Sequence, residues 1–249
     1  MLDSSKAAFL GDPDFPKSSL KYLKGGRIRL FQILYERYSN LEFTVIADRA
    51  IAITGLEKRL LKTFGTKGGF GVLDLYLHRS LLWKKSGKNA MARLHHPSNL
   101  QVPSWSWMAL DGPICYLDIP LGQAQWTRSL GSPFSAEHSD NSENGWEIDK
   151  GHPRLALKAI AHKFSSNRSN TLRRLIIFDT DVRTDFQDLR CIVVKRQKLA
   201  FADEKQKYYV LVVRRSPLDG DDTVERVGVG VIEKMHLSFD QEGYDVWII

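Results

Sequence analysis

The sequence predicts an α+β fold, a helical N-terminal third packed on an antiparallel β-rich sandwich or distorted barrel. Apolar residues between positions 28 and 64 recur at steps of three and four, the period of a helix. Beyond position 155 the chain turns to short runs of β-branched and aromatic residues separated by turn formers. Between these halves lies the sharpest pattern, residues 103–116, in which Trp105 and Trp107 alternate with Ser104 and Ser106. Residues 1–25 read as an N-terminal arm and 26–249 as one domain, mainly helical over 26–100 and mainly strand over 101–249.

The arm is rich in Asp, Pro, Ser, Lys and Gly, with 11–16 its clearest breaker cluster and a few apolar residues available for docking. From Gly26 the side chains of Ile28, Phe31, Leu34, Tyr35 and Tyr38 mark the buried face of an amphipathic helix that stops at Ser39-Asn40. A second helical stretch follows. Thr44 is its N-cap, Asp48 and Arg49 lie in its first turns, and a stripe of Leu56, Leu60, Leu61 and Phe64 runs to Gly65. Gly65, Gly68, Gly69 and Gly71 read as a hinge, since their spacing fits neither a phosphate-binding loop nor a dinucleotide fingerprint. Residues 72–83 are apolar on too many sides for a surface helix and belong inside.

In an extended chain Trp105 and Trp107 project from one face of a strand. Asp111-Gly112-Pro113 then supplies a turn and 114–116 a return strand. This hairpin either builds core or walls a ligand pocket, and each indole has roughly 150–250 Å² to bury. Residues 122–150 form a long polar loop that Trp126, Phe134 and Trp146 equip for docking. Strands follow at 155–164, 175–178, 191–194, 208–213, 224–232 and 244–249.

Composition narrows the function classes. With 43% hydrophobic and 26% charged residues the chain has the balance of an ordinary globular protein. No apolar run has the length of a membrane span, and residues 1–11 lack the basic flank and apolar core of a secretory signal. Two widely separated cysteines, Cys115 and Cys191, fit a reducing compartment, so the cytoplasm is the expected location. The net charge of +7 is spread over scattered pairs such as Arg173-Arg174 and Arg214-Arg215, outside any nucleic-acid-binding motif. Nucleic acid is therefore not an expected partner. Adjacent His95 and His96 point apart on a regular backbone and have no third ligand nearby in sequence, so neither metal nor cofactor is expected. The chain also lacks a Gly-x-Ser-x-Gly elbow, a His-Glu-x-x-His pair and a nucleotide loop.

Three blocks together resemble the region that follows the HET domain in fungal heterokaryon-incompatibility proteins. The first is Tyr38-Ser39 leading through Phe43-Thr44 and Asp48-Arg49 to Ile53-Thr54-Gly55-Leu56. The second is Leu81-Leu82-Trp83, and the third is Pro103-Ser104-Trp105-Ser106-Trp107 with Asp111-Gly112. Glu225-Arg226-Val227-Gly228 is similar to a late block of the same region. The likeness covers residues 30–116 well and the strand-rich end loosely. Two departures accompany it: the motif blocks of the HET domain itself are not in this sequence, and Leu73 replaces an aromatic residue that usually precedes the Leu-Leu-Trp block. Because Met1 opens a self-contained arm, a stand-alone protein is expected.

The resemblance implies two functions. One is a cofactor-independent tailoring enzyme of fungal secondary metabolism, a Diels-Alder-type cyclase closing a ring in an apolar terpenoid or polyketide. Shape and one polarising donor suffice for such chemistry. In that enzyme Trp83, Trp105, Trp107 and Tyr116 bind the apolar small molecule, while Arg226, Asp48 and Tyr38 supply the catalytic polar contacts. The other is a non-catalytic module that binds a protein partner through its sheet face. An enclosed apolar cavity of roughly several hundred Å³ favours the enzyme. A solid core with an exposed apolar patch favours the module.

Overall fold

The computed structural model describes residues 12–43, 49–96, 101–122, 124–135, 155–165, 169–181, 185–198, 206–216, 222–238 and 243–249. Within them the α+β expectation holds: a helical N-terminal segment leads into an eight-stranded, mostly antiparallel sheet.

The first helix, α1 (Lys24–Ser39), starts two residues before the expected Gly26 and ends where expected. It buries Ile28, Phe31 and Tyr35, with Leu34 and Tyr38 half-buried. A 3₁₀ turn at Lys17–Lys21 precedes it, and the arm is tied down by a hydrogen bond that Arg59 donates to the Phe15 carbonyl. Thr44 and Asp48 lie outside the described residues. The second helical stretch appears as α2 (Arg49–Ala52) and α3 (Thr54–Phe64), and α3 ends on Gly65 at φ 59°, the left-handed stop that glycine adopts without strain.

The glycine cluster is not a hinge. Strands β1 (Gly68–Gly69) and β2 (Val72–Leu73) close a two-residue hairpin whose loop residues, Phe70 and Gly71, both have positive φ. The following apolar stretch is buried as expected at Leu77, Leu81, Leu82 and Trp83, but it is broken rather than one helix. A 3₁₀ turn at Asp74–Tyr76, α4 (Leu77–Ser80) and β3 (Trp83–Lys85) divide it.

Residues 103–116 do not form the expected hairpin. After β4 (Ala92–Arg93), Ser106 caps a 3₁₀ turn at Trp107–Ala109 by accepting the Met108 N–H, which ends the extended run between the two indoles. The next strand, β5 (Leu110–Asp111), pairs with β4, and β6 (Ile114–Tyr116) pairs with β3. The turn at Asp111-Gly112-Pro113 therefore joins strands of two different ribbons.

The described part of the expected loop, 124–135, carries β7 (Ala124–Trp126) and packs on the core through Trp126 and Phe134; Trp146 lies outside the described residues. The remaining strands are β8 (Leu157–Phe164), β9 (Ile176–Phe178), β10 (Leu189–Gln197), β11 (Lys207–Arg215), β12 (Thr223–Glu233), β13 (Leu237–Ser238) and β14 (Tyr244–Ile248). Helix α5 (Ser169–Leu175) precedes β9 and was not expected from the sequence. Strands β8, β10, β11, β12 and β14 are hydrogen-bonded in a closed ring, antiparallel at every step except β12 to β14. This is the distorted barrel, with β7, β9 and β13 added at its margins. One strand face, with Leu157, Ile192, Leu211, Val229 and Val246, shares a single hydrophobic cluster with the helical segment. The opposite face, with Cys191, Val210 and Val212, lies under Leu172 and Phe186 in a second cluster.

Candidate functional site

The seam between the helical segment and the barrel is built around β12. Its pairing with β11 shifts register between Val212 and Val213, leaving Val227 as the extra residue of a β-bulge. A bulge bends its strand and re-aims the neighbouring groups. Here the Val227 carbonyl accepts from the Asp179 N–H at 2.9 Å, and the Arg226 N–H donates to Ser104 Oγ at 3.0 Å. Ser104 Oγ in turn donates to the Ile249 carbonyl.

The Arg226 side chain runs from this bulge into the seam and is completely buried. Its Nε donates to Asp179 Oδ2 at 3.0 Å, Nη1 to the Leu81 carbonyl at 2.6 Å, and Nη2 to the Trp83 carbonyl at 2.6 Å. A further bond at 3.3 Å reaches Asp179 Oδ1. The guanidinium lies over the Trp83 ring, 3.4 Å from its centroid. Burial pushes the Asp179 carboxyl above the ordinary carboxylate range, and the arginine charge beside it pulls it back. Arginine keeps its proton in proteins, so the pair is an ion pair whose desolvation is offset by bonds to fixed carbonyls.

The three indoles interlock rather than wall a hollow. Trp83, Trp105 and Trp107 have no solvent exposure and Tyr116 almost none. Trp83 Nε1 donates to the Trp105 carbonyl at 3.0 Å, and Trp105 Nε1 donates to the Leu155 carbonyl at 2.9 Å. Phe70 and Phe134 meet Trp105 edge-on, at 6.4 and 6.3 Å between centroids. Trp107 is pressed against Gly71, where an added Cβ would stand 2.1 Å from the indole nitrogen. The glycine is therefore required by close approach as well as by its positive φ of 78°.

Tyr38 sits elsewhere. Its hydroxyl donates to the Arg49 carbonyl at 2.6 Å, and burial raises its pKa. Arg49 itself is buried and ties α2 to the ribbons: Nη2 donates to the Ser39 and Gly112 carbonyls, each at 2.9 Å, and Nη1 meets Asp111 Oδ1 at 3.2 Å. Its guanidinium faces the Trp107 ring at 5.4 Å. Arg226 and Tyr38 thus serve two separate staples, each an arginine laid on a tryptophan, and the third polar candidate, Asp48, lies outside the described residues.

A cavity of about 260 Å³ adjoins the first staple, between Met91 and Leu110 on one side and Arg93, Arg214, Arg226 and Asp179 on the other. None of Trp83, Trp105, Trp107, Tyr116 or Tyr38 lines it. Neither Asp179 nor the cavity-lining Arg93 and Arg214 stands out in the sequence as a site residue, and Arg49 is legible there only as the charged neighbour of Asp48 in a helical turn. The available signal was a charge inside an otherwise buried strand: Glu225-Arg226 interrupts a run of valines, and such charges require partners. Among the described residues no group of His, Cys, Asp and Glu is arranged to hold a metal ion, and no helix is long and apolar enough to cross a membrane. Comparison with protein-family models, with curated proteins and with solved structures finds no match.

Proposed function

We propose that this chain is a non-catalytic protein-interaction module of the incompatibility-protein type, docking its partner at the start of α1. The observation that carries this reading is a patch of exposed apolar side chains there. Leu20, Tyr22, Leu23 and Leu121 are all exposed, Leu23 at 86% of its full surface. Leu121 lies against Gly25 and Tyr22 against Gly26, two glycines that leave the first turn of the helix bare beside Leu23. Residues 15–35 carry Lys17, Lys21, Lys24, Arg27 and Arg29 and no acidic residue. An apolar patch with a basic rim fits a partner that presents an apolar anchor among carboxylates. The patch belongs to the helix start and its neighbouring loop, not to the sheet face.

The sealed core supports the same reading. Arg226 directs four hydrogen bonds to protein acceptors, and the indoles are spent on packing, so these groups are committed to holding the seam together. The second reading, a cofactor-independent cyclase, is favoured by the cavity beside Arg226 alone. One comparison separates the two. Wild-type protein and a Leu23→Asp/Leu121→Asp variant are used to retain partners from extracts of the source cells, and the same extracts are screened for a consumed metabolite. The module reading expects a partner held by the wild type and lost from a variant of unchanged thermal stability, without turnover. A metabolite consumed equally by both proteins, with no partner difference, contradicts it.

A further inference from the structure

The cavity next to the Arg226–Asp179 pair has a mouth built from a second, separate set of charges. Glu225 is buried and holds two arginines at once: Arg93 Nη2 meets its Oε2 at 2.6 Å, and Arg214 Nε meets its Oε1 at 2.6 Å. Both arginines line the cavity and are partly open to solvent, with side chains 55% and 38% exposed. Each spends one hydrogen bond on Glu225, and among the described residues neither has another acceptor, so most of their donors face outward or into the cavity. Thr180 also lines the space. Charge at the site does not cancel. Among the described residues the guanidiniums of Arg93, Arg214 and Arg226 are paired with two carboxylates, Glu225 and Asp179, which leaves one positive charge over.

The other side of the cavity is apolar, with Met91, Leu110 and Val227. Its backbone is fixed, since the Met91 N–H donates to the Asp179 carbonyl at 2.9 Å and β4 is paired with β5. A volume of about 260 Å³ admits on the order of ten non-hydrogen atoms at roughly 30 Å³ for each water-sized group. We propose that this cavity binds a small apolar carboxylate, its anion forked between Arg93 and Arg214 and its tail against Met91, Leu110 and Val227. One surplus positive charge matches a monoanion better than a dianion, and a planar carboxylate matches two guanidinium forks held apart by Glu225. The site is distinct from the patch around Leu23, so substitutions there leave it intact.

The test is titration of the isotopically labelled full chain with benzoate, benzamide and inorganic phosphate at low salt, followed by NMR. Benzoate is expected to shift the Met91, Leu110 and Val227 signals saturably, with benzamide and phosphate markedly weaker. Arg93→Gln and Arg214→Gln, both at solvent-accessible positions, are each expected to weaken benzoate about tenfold or more, the usual loss of a charge-assisted hydrogen bond. A thermal melt of each variant separates lost binding from lost fold, and Leu23→Asp/Leu121→Asp is expected to bind benzoate like the wild type. No saturable shift with benzoate overturns the proposal. So does benzamide or phosphate binding as tightly, or benzoate affinity unchanged in both folded glutamine variants.

Discussion

Arg226 lies over Trp83, its guanidinium carbon 3.4 Å from the ring centre, while its two outer nitrogens hold the Leu81 and Trp83 carbonyls. One side chain from the barrel thereby grips the backbone of the helical segment from within the seam. Asp179 completes the grip, receiving the Arg226 side chain on its carboxylate and bridging Val227 and Met91 through its own backbone.

Breaking this pair from one side leaves a buried charge without a partner. Arg226→Met and Asp179→Asn are each expected to destabilise the protein by about 3–5 kcal/mol, measured by urea unfolding. The double substitution is expected to cost less than the two single losses added, because each removes the charge that the other strands. Strict additivity contradicts the coupling.

A buried carboxyl sets the pH dependence of the helical segment. Glu57 Oε1 accepts from the Gly71 N–H at 2.7 Å and from the Tyr35 hydroxyl at 3.3 Å. Burial nonetheless raises its pKa above the ordinary 4.5. A carboxyl that titrates higher when folded than when unfolded binds its proton more tightly in the native state. Its contribution to stability is therefore complete below pH 4.5 and is lost as pH rises through the folded value. Glu57→Gln, which keeps an acceptor oxygen without the charge, is expected to be more stable than the wild type at neutral pH. The difference is expected to close below pH 4.5, as read from urea midpoints across that range. A variant less stable than the wild type at neutral pH contradicts this.

Two glycines give opposite outcomes for one substitution. Gly71 has φ 78° and no room before Trp107, so Gly71→Ala is expected to cost at least about 2 kcal/mol from strain and overpacking together. Gly55 lies within α3 with open space where a Cβ would stand, and Gly55→Ala is expected to stabilise by about 0.4–1 kcal/mol. Thermal melts of both variants check the sign of each effect.

The α+β order and every strand expected beyond position 155 were legible because β-branched runs between turn residues have few other ways to bury their faces. The end of α1 at Ser39 and the glycine stop of α3 were legible for the same local reasons. Residues 103–107 misled because alternation describes a strand only while the backbone stays extended. Ser106 Oγ accepts the Met108 N–H and donates to the Phe70 carbonyl, which lies 36 residues away in sequence. The glycine cluster misled likewise, since a tight hairpin against an indole and a loose hinge have the same composition. Of the site candidates, Arg226 and Tyr38 stand at the seams as staples. What joined them to Asp179 and Arg49 is tertiary contact between distant segments, which no local spacing records.

Trp83 and Trp105 are sealed interior groups, each indole N–H bonded to a backbone carbonyl distant in sequence. Deuterium exchange of these two indole protons, followed by NMR in native buffer, measures this directly. Exchange as slow as global unfolding allows is the expected result. Exchange of either proton within the first minutes, while the backbone amides of β11 and β12 stay protected, contradicts a closed seam and returns these rings to the wall of an open pocket.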